Sequence, residues 1–519
     1  MEEQQTTKRK VVGGLFWSFG ERICAQLVTL IVGIILARIL SPDDYGIISI
    51  VMVFISICDV FVTGGFGTAL VQKQEADKSD YNTAFYMSFG MSVVLYIILF
   101  FTAPYIALFY KRDILTNIIR VLGVRLIITS LNTVQQAHLQ REMKFRKFFI
   151  ATIFGTVISC VVGIVMAYCG FGVWALVLQY LMNSFIDTIV LCFVGGWNPG
   201  IKTSKKKAKE IYSFGWKVLC TNLIATSENS IRSLLVGKNF GSEDLAYYDQ
   251  GRKYPALLVD NVNTTIQKVM LPTFSRMQDD KAEMKRALRR CIKLETFLLA
   301  PFLIGFAAIA QIFVPVVLTD KWTFAIPFIW IFCANYLTRP IESSCNQALL
   351  ALGKSGLVFC IMTVINVTSI ILSLIAIFAI KSVLWVALFS LLSTFISVLC
   401  FLLFTKKLIN YRFREQLADM LPSLAIAFVM GGIVFGIGYI PMNEIALLVL
   451  QVFCGIAVYL LLCIITKIEP YRYLISSIKR KLEAHKKDKQ DLNVASDNSR
   501  IESKQESNEV DTYENDDKR

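Results

Sequence analysis

Apolar runs of about twenty residues follow one another along almost the whole chain, and this pattern limits the fold more than any other feature does. A helical run of that length matches the hydrocarbon core of a bilayer. Inside a bilayer only helices and closed barrels satisfy their own backbone groups. Fourteen runs are legible: 13–37, 45–70, 82–109, 114–136, 148–169, 173–195, 211–236, 245–271, 294–318, 324–350, 357–380, 383–404, 417–440 and 444–466. Charges interrupt 114–136, 211–236 and 245–271. Taken alone, 245–271 reads as a soluble helix; its flanks and the internal repeat make it a span. Hydrophobic residues are 55% of the chain and charged residues 18%, against about 25% charged in soluble domains. Soluble, disordered and disulfide-rich secreted classes are excluded, which leaves an all-α polytopic membrane protein.

The connections are too short to hold an extramembrane domain. The expected organisation is a cytoplasmic N-terminus (1–10), an N-terminal six-helix bundle (11–200), a C-terminal six-helix bundle (201–410), two additional spans (411–470) and a disordered cytoplasmic tail (471–519), basic then acidic. The first apolar run lacks a small-residue cleavage site, so it reads as a retained span rather than a signal peptide. Lys and Arg collect in alternate connections: 26 on one side, among them Lys205, Lys206, Lys207, Arg286, Arg289 and Arg290, against six on the other. The positive-inside rule places the rich side, and both termini, in the cytoplasm. That topology accounts for the net charge of +14 with no nucleic-acid partner.

Several chemistries are excluded. The 13 Cys form no CxxC pair and lie almost wholly inside spans, as small packing residues do. The only histidines are His138 and His485, too few for a His-rich metal site. No nucleotide-binding or hydrolase motif occurs. The expectation is neither an enzyme nor a holder of any cofactor or metal.

An internal repeat is visible. Ser18-Phe19-Gly20 recurs as Ser213-Phe214-Gly215. Leu40-Ser41-Pro42-Asp43-Asp44-Tyr45-Gly46 is echoed by Phe240-Gly241-Ser242-Glu243-Asp244-Leu245-Ala246, and Val173-Trp174-Ala175-Leu176 by Leu384-Trp385-Val386-Ala387. With six spans per half, both halves enter from the same side, and an axis along the membrane normal relates them. Parallel repeats around a central site are a transporter architecture.

The opening Gly14-Leu15-Phe16-Trp17-Ser18-Phe19-Gly20, followed by Leu36-Ala37-Arg38-Ile39-Leu40-Ser41-Pro42-Asp43-Asp44-Tyr45-Gly46, resembles the Wzx-like polysaccharide flippases of the multidrug/oligosaccharidyl-lipid/polysaccharide exporter superfamily. Gln135 to Phe145, ending in Leu139-Gln140-Arg141-Glu142-Met143-Lys144-Phe145, is similar to that family's stretch after the fourth span. The resemblance covers about residues 8 to 470. It implies movement of polyprenyl-diphosphate-linked oligosaccharides across the cytoplasmic membrane for cell-surface polysaccharide or lipopolysaccharide assembly, beside polysaccharide polymerase or assembly proteins. A cation-coupled drug or metabolite antiporter of the same superfamily is the alternative. A membrane glycan polymerase or ligase is a third reading, opposed by the short loops.

Charges inside spans carry the site expectation, because each must face protein or water. They concentrate in spans 1, 2, 4, 7, 8 and 10, which are expected to line a wet cavity. Spans 5, 11, 12, 13 and 14 have uncharged centres and are expected to face lipid or pack outside. A diphosphate calls for cationic donors, and Arg matches its oxygens bidentately. Arg22, Arg125, Arg232, Arg252 and Arg339 are the expected substrate-binding set. Helical spacing also permits local pairing of Arg232 with Glu228, Arg252 with Asp249 and Arg339 with Glu342; Arg125 has no acid within a turn. Asp59 and Asp187 are the candidate ion-coupling groups. Pro301, Pro315, Pro327 and Pro340 are expected to kink spans 9 and 10.

Overall fold

The computed structural model describes residues 26–476, apart from positions 64, 74, 75, 143, 197 and 474 and some side chains within helices. The N-terminal segment, Arg22 and the tail beyond 476 lie outside the described residues. The helices are α1 (Gln26–Ile39), α2 (Pro42–Thr63), α3 (Phe66–Gln72), α4 (Lys78–Tyr110), α5 (Ile114–Arg141), α6 (Phe145–Tyr168), α7 (Val173–Gly195), α8 (Lys205–Asn239), α9 (Ser242–Ser275), α10 (Lys281–Phe313), α11 (Ile326–Tyr336), α12 (Arg339–Ala351), α13 (Ser355–Ile375), α14 (Val383–Ile409), α15 (Phe413–Ile437) and α16 (Glu444–Thr466). Among the described residues no strand occurs, and eleven helical stretches are long and apolar enough to cross a membrane. α1, described only from Gln26, is shorter, and α8 and α9 are too polar to join them.

Packing between helices uses small residues, because lipid tails supply no hydrophobic drive for association and close approach must replace it. α6 lies along α7. A Cβ on Gly155 would stand 3.2 Å from the Asn183 carbonyl, and one on Gly163 3.1 Å from Gln179. α4 and α5 are joined by buried serines, Ser92 donating to Ser130 at 3.1 Å. α8 and α9 lie at the centre, α8 against α2, α3 and α4, and α9 against α2, α10, α11 and α12. α15 and α16 pack on α10.

Span 10 differs from the single kinked helix expected of it. It enters through a short 3-10 turn (Asp320–Ala325), runs as α11, breaks at Leu337–Thr338 and resumes as α12. Pro327 and Pro340 fall at the first positions of α11 and α12, where the missing N–H would have had no helical partner. They start helices instead of kinking one. Pro315 opens a π-turn (Val314–Leu318), and Pro301 alone of the four lies inside a helix.

Ion pairs gather at the basic face of the bundle. Lys73 contacts Asp80 at 2.7 Å and Glu210 at 3.4 Å. Lys207 contacts Asp77 at 2.6 Å and Asp80 at 3.7 Å, so α8 is clamped to the start of α4. Lys207, followed by the Asp80 backbone N–H, pulls the exposed Asp77 carboxyl down to about 2. The clamp is therefore present above the ordinary carboxylate range and is lost as pH falls through that depressed value. The α7–α8 connection is fastened to the same place: the Gly200 N–H donates to Asn82 at 2.9 Å, and Asn82 donates to the Lys202 carbonyl at 3.2 Å. At the same face α15 is tied to α10 by a bidentate Arg289–Asp419 pair at 2.7 and 2.8 Å, with the Tyr411 hydroxyl donating to Asp419 at 2.7 Å.

At the opposite face the echoed turns meet. Ser242 donates to Asp43, Arg112 pairs with Asp43 at 2.9 Å, and Gly46 sits against the Ser242 backbone. Trp322 donates to the Ala37 carbonyl at 2.9 Å, and Lys321 to those of Arg38 and Leu40 at 2.8 and 2.5 Å. A Cβ on Gly46 would lie 1.8 Å from the Ser242 carbonyl oxygen, and backbone on both sides cannot yield. Gly46→Ala is expected to destabilise the protein by about 1–3 kcal/mol, read as a lowered midpoint of thermal unfolding in detergent. Gly90→Ala, where the added methyl meets nothing within 4 Å, should be neutral or slightly stabilising, since Ala is the better helix former.

Candidate functional site

Three of the expected arginines meet. Arg232 on α8, Arg252 on α9 and Arg339 on α12 line one cavity of about 210 Å³. Arg232 is buried; it donates to the Tyr248 hydroxyl at 3.4 Å and to the Ser369 hydroxyl on α13. Arg252 pairs with Asp249, three residues back, at 3.6 Å. Arg339 sits at the break in span 10, half exposed, 3.5 Å from Glu342 and over the Tyr336 ring at 5.6 Å. Arg232 is held away from solvent by two hydroxyls, whereas Arg339 keeps a loose partner and an open face.

The rest of the wall is largely polar, with amides and hydroxyls beside Glu342 and the apolar Phe332, Met362, Ile365 and Phe401. Asn263 and Gln267 come from α9, Asn335 from α11, and Ser343 and Asn346 from α12. Ser343 donates to Asn263 at 2.6 Å and receives Gln267 at 3.1 Å; Asn335 donates to Thr394 at 3.0 Å. α13 contributes Asn366, and α14 contributes Ser390, Ser393, Thr394 and Ser397. Spans 11 and 12, expected to face lipid or pack outside, therefore line the cavity. Their polar groups carry no charge and hardly lower a mean hydropathy. The signal was the helical spacing of Ser390, Ser393 and Ser397, which puts three hydroxyls on one face.

A second cavity, of about 500 Å³, adjoins the first and shares Arg252 with it. Its walls come from α2 (Tyr45, Ser49, Met52), α7 (Tyr180), α8 (Thr226, Ser230) and α9 (Asp249, Gln250, Lys253). Arg252 thus stands where a space walled by α2, α7, α8 and α9 meets one walled by α8, α9 and α11–α14.

The other expected site residues lie elsewhere. Arg125 has no acid along α5, but α2 brings Asp59 to 3.6 Å, and Ser184 on α7 receives its Nε at 2.9 Å. The two proposed roles, substrate arginine and coupling acid, fall on one pair. The fit is loose: Asp59 Oδ1 and Arg125 Nη1 are buried with no hydrogen-bond partner. Asp187, on α7 one turn beyond Ser184, receives Asn132 at 3.4 Å, with Gly155 of α6 packed on its Cβ. Neither Arg125 nor Asp187 lines the cavity of the three arginines. Arg22 and the side chain of Glu228 lie outside the described residues. Among the described residues, no cluster of His, Cys, Asp and Glu has the geometry to hold a metal ion.

A family model described as "Polysaccharide biosynthesis protein" matches residues 35–327. The teichuronic acid biosynthesis protein TuaB of Bacillus subtilis (strain 168) is 21% identical over 353 residues, 68% of this chain and 73% of that protein. The lipopolysaccharide biosynthesis protein WzxC of Escherichia coli (strain K12) is 20% identical over 354 residues, 68% and 72% of the two chains. Among solved structures, the lipid II flippase MurJ in an inward closed conformation superposes with a TM-score of 0.73 at 16% identity, over 89% of this chain and all of that one. A multidrug resistance MATE family transporter, inward-facing, superposes with a TM-score of 0.55 at 13% identity, over 79% and 94% of the two chains. At these identities the superpositions speak for the fold.

The different settings of the arginines give a stability prediction. Arg232→Ala removes two buried, charge-assisted hydrogen bonds joining α8, α9 and α13 and should cost about 1.5–3 kcal/mol. Arg339→Ala, half exposed, should change stability by no more than about 0.5 kcal/mol. Thermal unfolding of the two purified variants in one detergent checks the contrast.

Proposed function

The chain belongs to the polysaccharide biosynthesis protein family, and on that premise we propose that it is a flippase that moves polyprenyl-diphosphate-linked oligosaccharide units across the cytoplasmic membrane by alternating access. The observation that carries this reading is the cavity lined by Arg232, Arg252 and Arg339 together with a wall of amides and hydroxyls. Guanidinium groups suit a diphosphate. Asn, Gln, Ser and Thr both donate and accept, as sugar hydroxyls do. One cavity thus offers both chemistries of a lipid-linked glycan.

Size bears on how the substrate sits. A cavity of about 210 Å³ is smaller than the roughly 300–1,000 Å³ usual for ligand sites. The adjoining space of about 500 Å³ supplies the remainder. In this reading Arg252 and Arg339 hold the diphosphate near the junction, and the glycan extends from the α11–α14 wall into the adjoining space. The reading involves no covalent step.

The basic face is taken as cytoplasmic, with both termini on that side, following the asymmetry of Lys and Arg. The organisation is taken as two six-helix bundles and a terminal pair. The meeting of the two echoed turns, Asp43 and Gly46 against Ser242, supports an axis between equivalent elements. The bundles are tied at both faces, through Lys73, Asp77, Asp80, Lys207 and Glu210 at one and Asp43, Ser242 and Trp322 at the other. Alternating access then requires one set to part while the other holds.

The test uses purified protein in liposomes carrying a lipid-linked oligosaccharide, with flipping read as access of the glycan to an enzyme added outside. Wild type should expose the glycan at a rate well above protein-free liposomes. Arg252→Ala with Arg339→Ala should slow it at least about tenfold, corresponding to about 1.4 kcal/mol of lost interaction. A double variant, correctly inserted, that flips at the wild-type rate removes the arginines from the mechanism. In cells depleted of the protein, complete lipid-linked units should accumulate facing the cytoplasm; a normal outward-facing pool would overturn the flippase assignment.

A further inference from the structure

One buried acid plays no part in the cavity. Glu295 lies midway along α10 and is 1% exposed. Its Oε2 receives the Ser344 hydroxyl of α12 at 3.2 Å, and its Oε1 is buried with no partner. We propose that Glu295 is a proton-binding site that sets the position of α12, the half-helix that carries Arg339 and the amide wall of the cavity.

The surroundings supply no counter-charge. On its own helix Arg289 is committed to Asp419, Lys285 to Glu415, and Lys293 to Asp419 and Glu469, while Arg286 and Arg290 lie exposed at the surface. From α15 the acids Asp419 and Glu415 are held by those same cations. The titratable groups close to Glu295 are the thiols of Cys291 on α10 and Cys345 on α12. From α9 the described neighbour on this side is Met270, which the Ser344 sulfur contact marks at 4.0 Å. From α14 the nearby polar group is Thr405, whose hydroxyl is bonded to the Phe401 carbonyl of its own helix. From α16, Tyr459 is bonded to the Phe297 carbonyl. Among the described side chains, none places a cation within ion-pair distance of Glu295. A carboxylate here would be a buried anion with one hydrogen bond, a state a low-dielectric interior penalises heavily. A proton removes the charge and converts an acceptor into a donor. Gln347, on the same face of α12 one turn beyond Ser344, also has a buried carbonyl oxygen with no partner. Buried acceptors on α10 and on α12 are therefore unmet, and a proton taken up by Glu295 cancels the charge on the first.

The connection to the cavity is short. Ser343 and Ser344 are adjacent. Ser343 bonds Asn263 in the cavity wall, and Ser344 bonds Glu295 behind it. α12 has 13 residues and is separated from α11 by the break at Leu337–Thr338. It can shift as a unit without bending the rest of span 10. Gain or loss of the proton changes the contact at the back of α12, and Arg339, Glu342, Ser343 and Asn346 move with it.

This coupling to transport rests on the flippase reading, whereas the proton site itself does not, so two measurements are needed. Infrared difference spectra of the full chain in nanodiscs, titrated over pH, should contain a protonated-carboxyl band that Glu295→Gln removes. Identical titrations of wild type and Glu295→Gln would overturn the site. In liposomes, an imposed pH gradient should change the wild-type flipping rate, and Glu295→Gln should keep a basal rate but lose that response. A retained response would overturn the coupling. Should Glu295→Gln fail to fold, Ser344→Ala serves in its place: it should move the midpoint of the band, and an unmoved midpoint counts against the proposal. If wild type flips no lipid-linked glycan, the flippase reading falls, while the infrared titration still decides the proton site.

Discussion

A charge within a bilayer has to be met by another charge, a dipole or water, and the centre of this protein is arranged around that requirement. α8 and α9 are too polar to face lipid. They pack against other helices and line two cavities that meet at Arg252. Each described arginine at the centre has a distinct solution: two hydroxyls for Arg232, a neighbouring acid for Arg252, an acid and a ring for Arg339, and an acid from another helix for Arg125. The strength of these partners sorts the arginines into structural and available ones. Arg232 belongs to the first group, and Arg339, with an open face, to the second.

The break in span 10 serves the same end. Irregular backbone at membrane depth is tolerated where it lines a cavity. Pro340 prevents the helix from running on, Arg339 is presented at the gap, and α12 becomes a short element with two working faces. One face carries the cavity amides and the other meets Glu295. A continuous helix would have tied the cavity wall to the whole length of the span.

The ion-pair clusters at the two faces act on the same central helices. α8 is held to α4 at its basic end, and the start of α9 to the start of α2 at the other. Exposed ion pairs contribute little individually, so such contacts are able to part and re-form. The Gly46–Ser242 approach is of another kind, because its tightness comes from backbone meeting backbone. It suits a contact about which elements rotate better than one that separates widely.

The run lengths, the low charge and the absence of catalytic motifs determined the class of this protein from sequence, because bilayer thickness and backbone hydrogen bonding leave so few alternatives. The motif Leu36 to Gly46 pointed to the family for the same chain that the family model matches over 35–327. Pairing within a helix was legible too, since Arg252–Asp249 and Arg339–Glu342 follow from spacing alone. So was the placing of spans 2, 7, 8 and 10 at a cavity, since α2, α8, α9, α11 and α12 line the two spaces; that α13 and α14 join them was not. The Asp59–Arg125 pair joins residues far apart in the chain, and the serines of α14 carry no charge to betray a wet wall. Glu295 gave no signal in a span that opens among basic residues, where one more charged residue looks like part of the interface. Its burial, and the helix it bonds, exist only once α10, α12 and α15 are packed together. Local periodicity reports which face of a helix is polar, and only tertiary packing decides what that face meets.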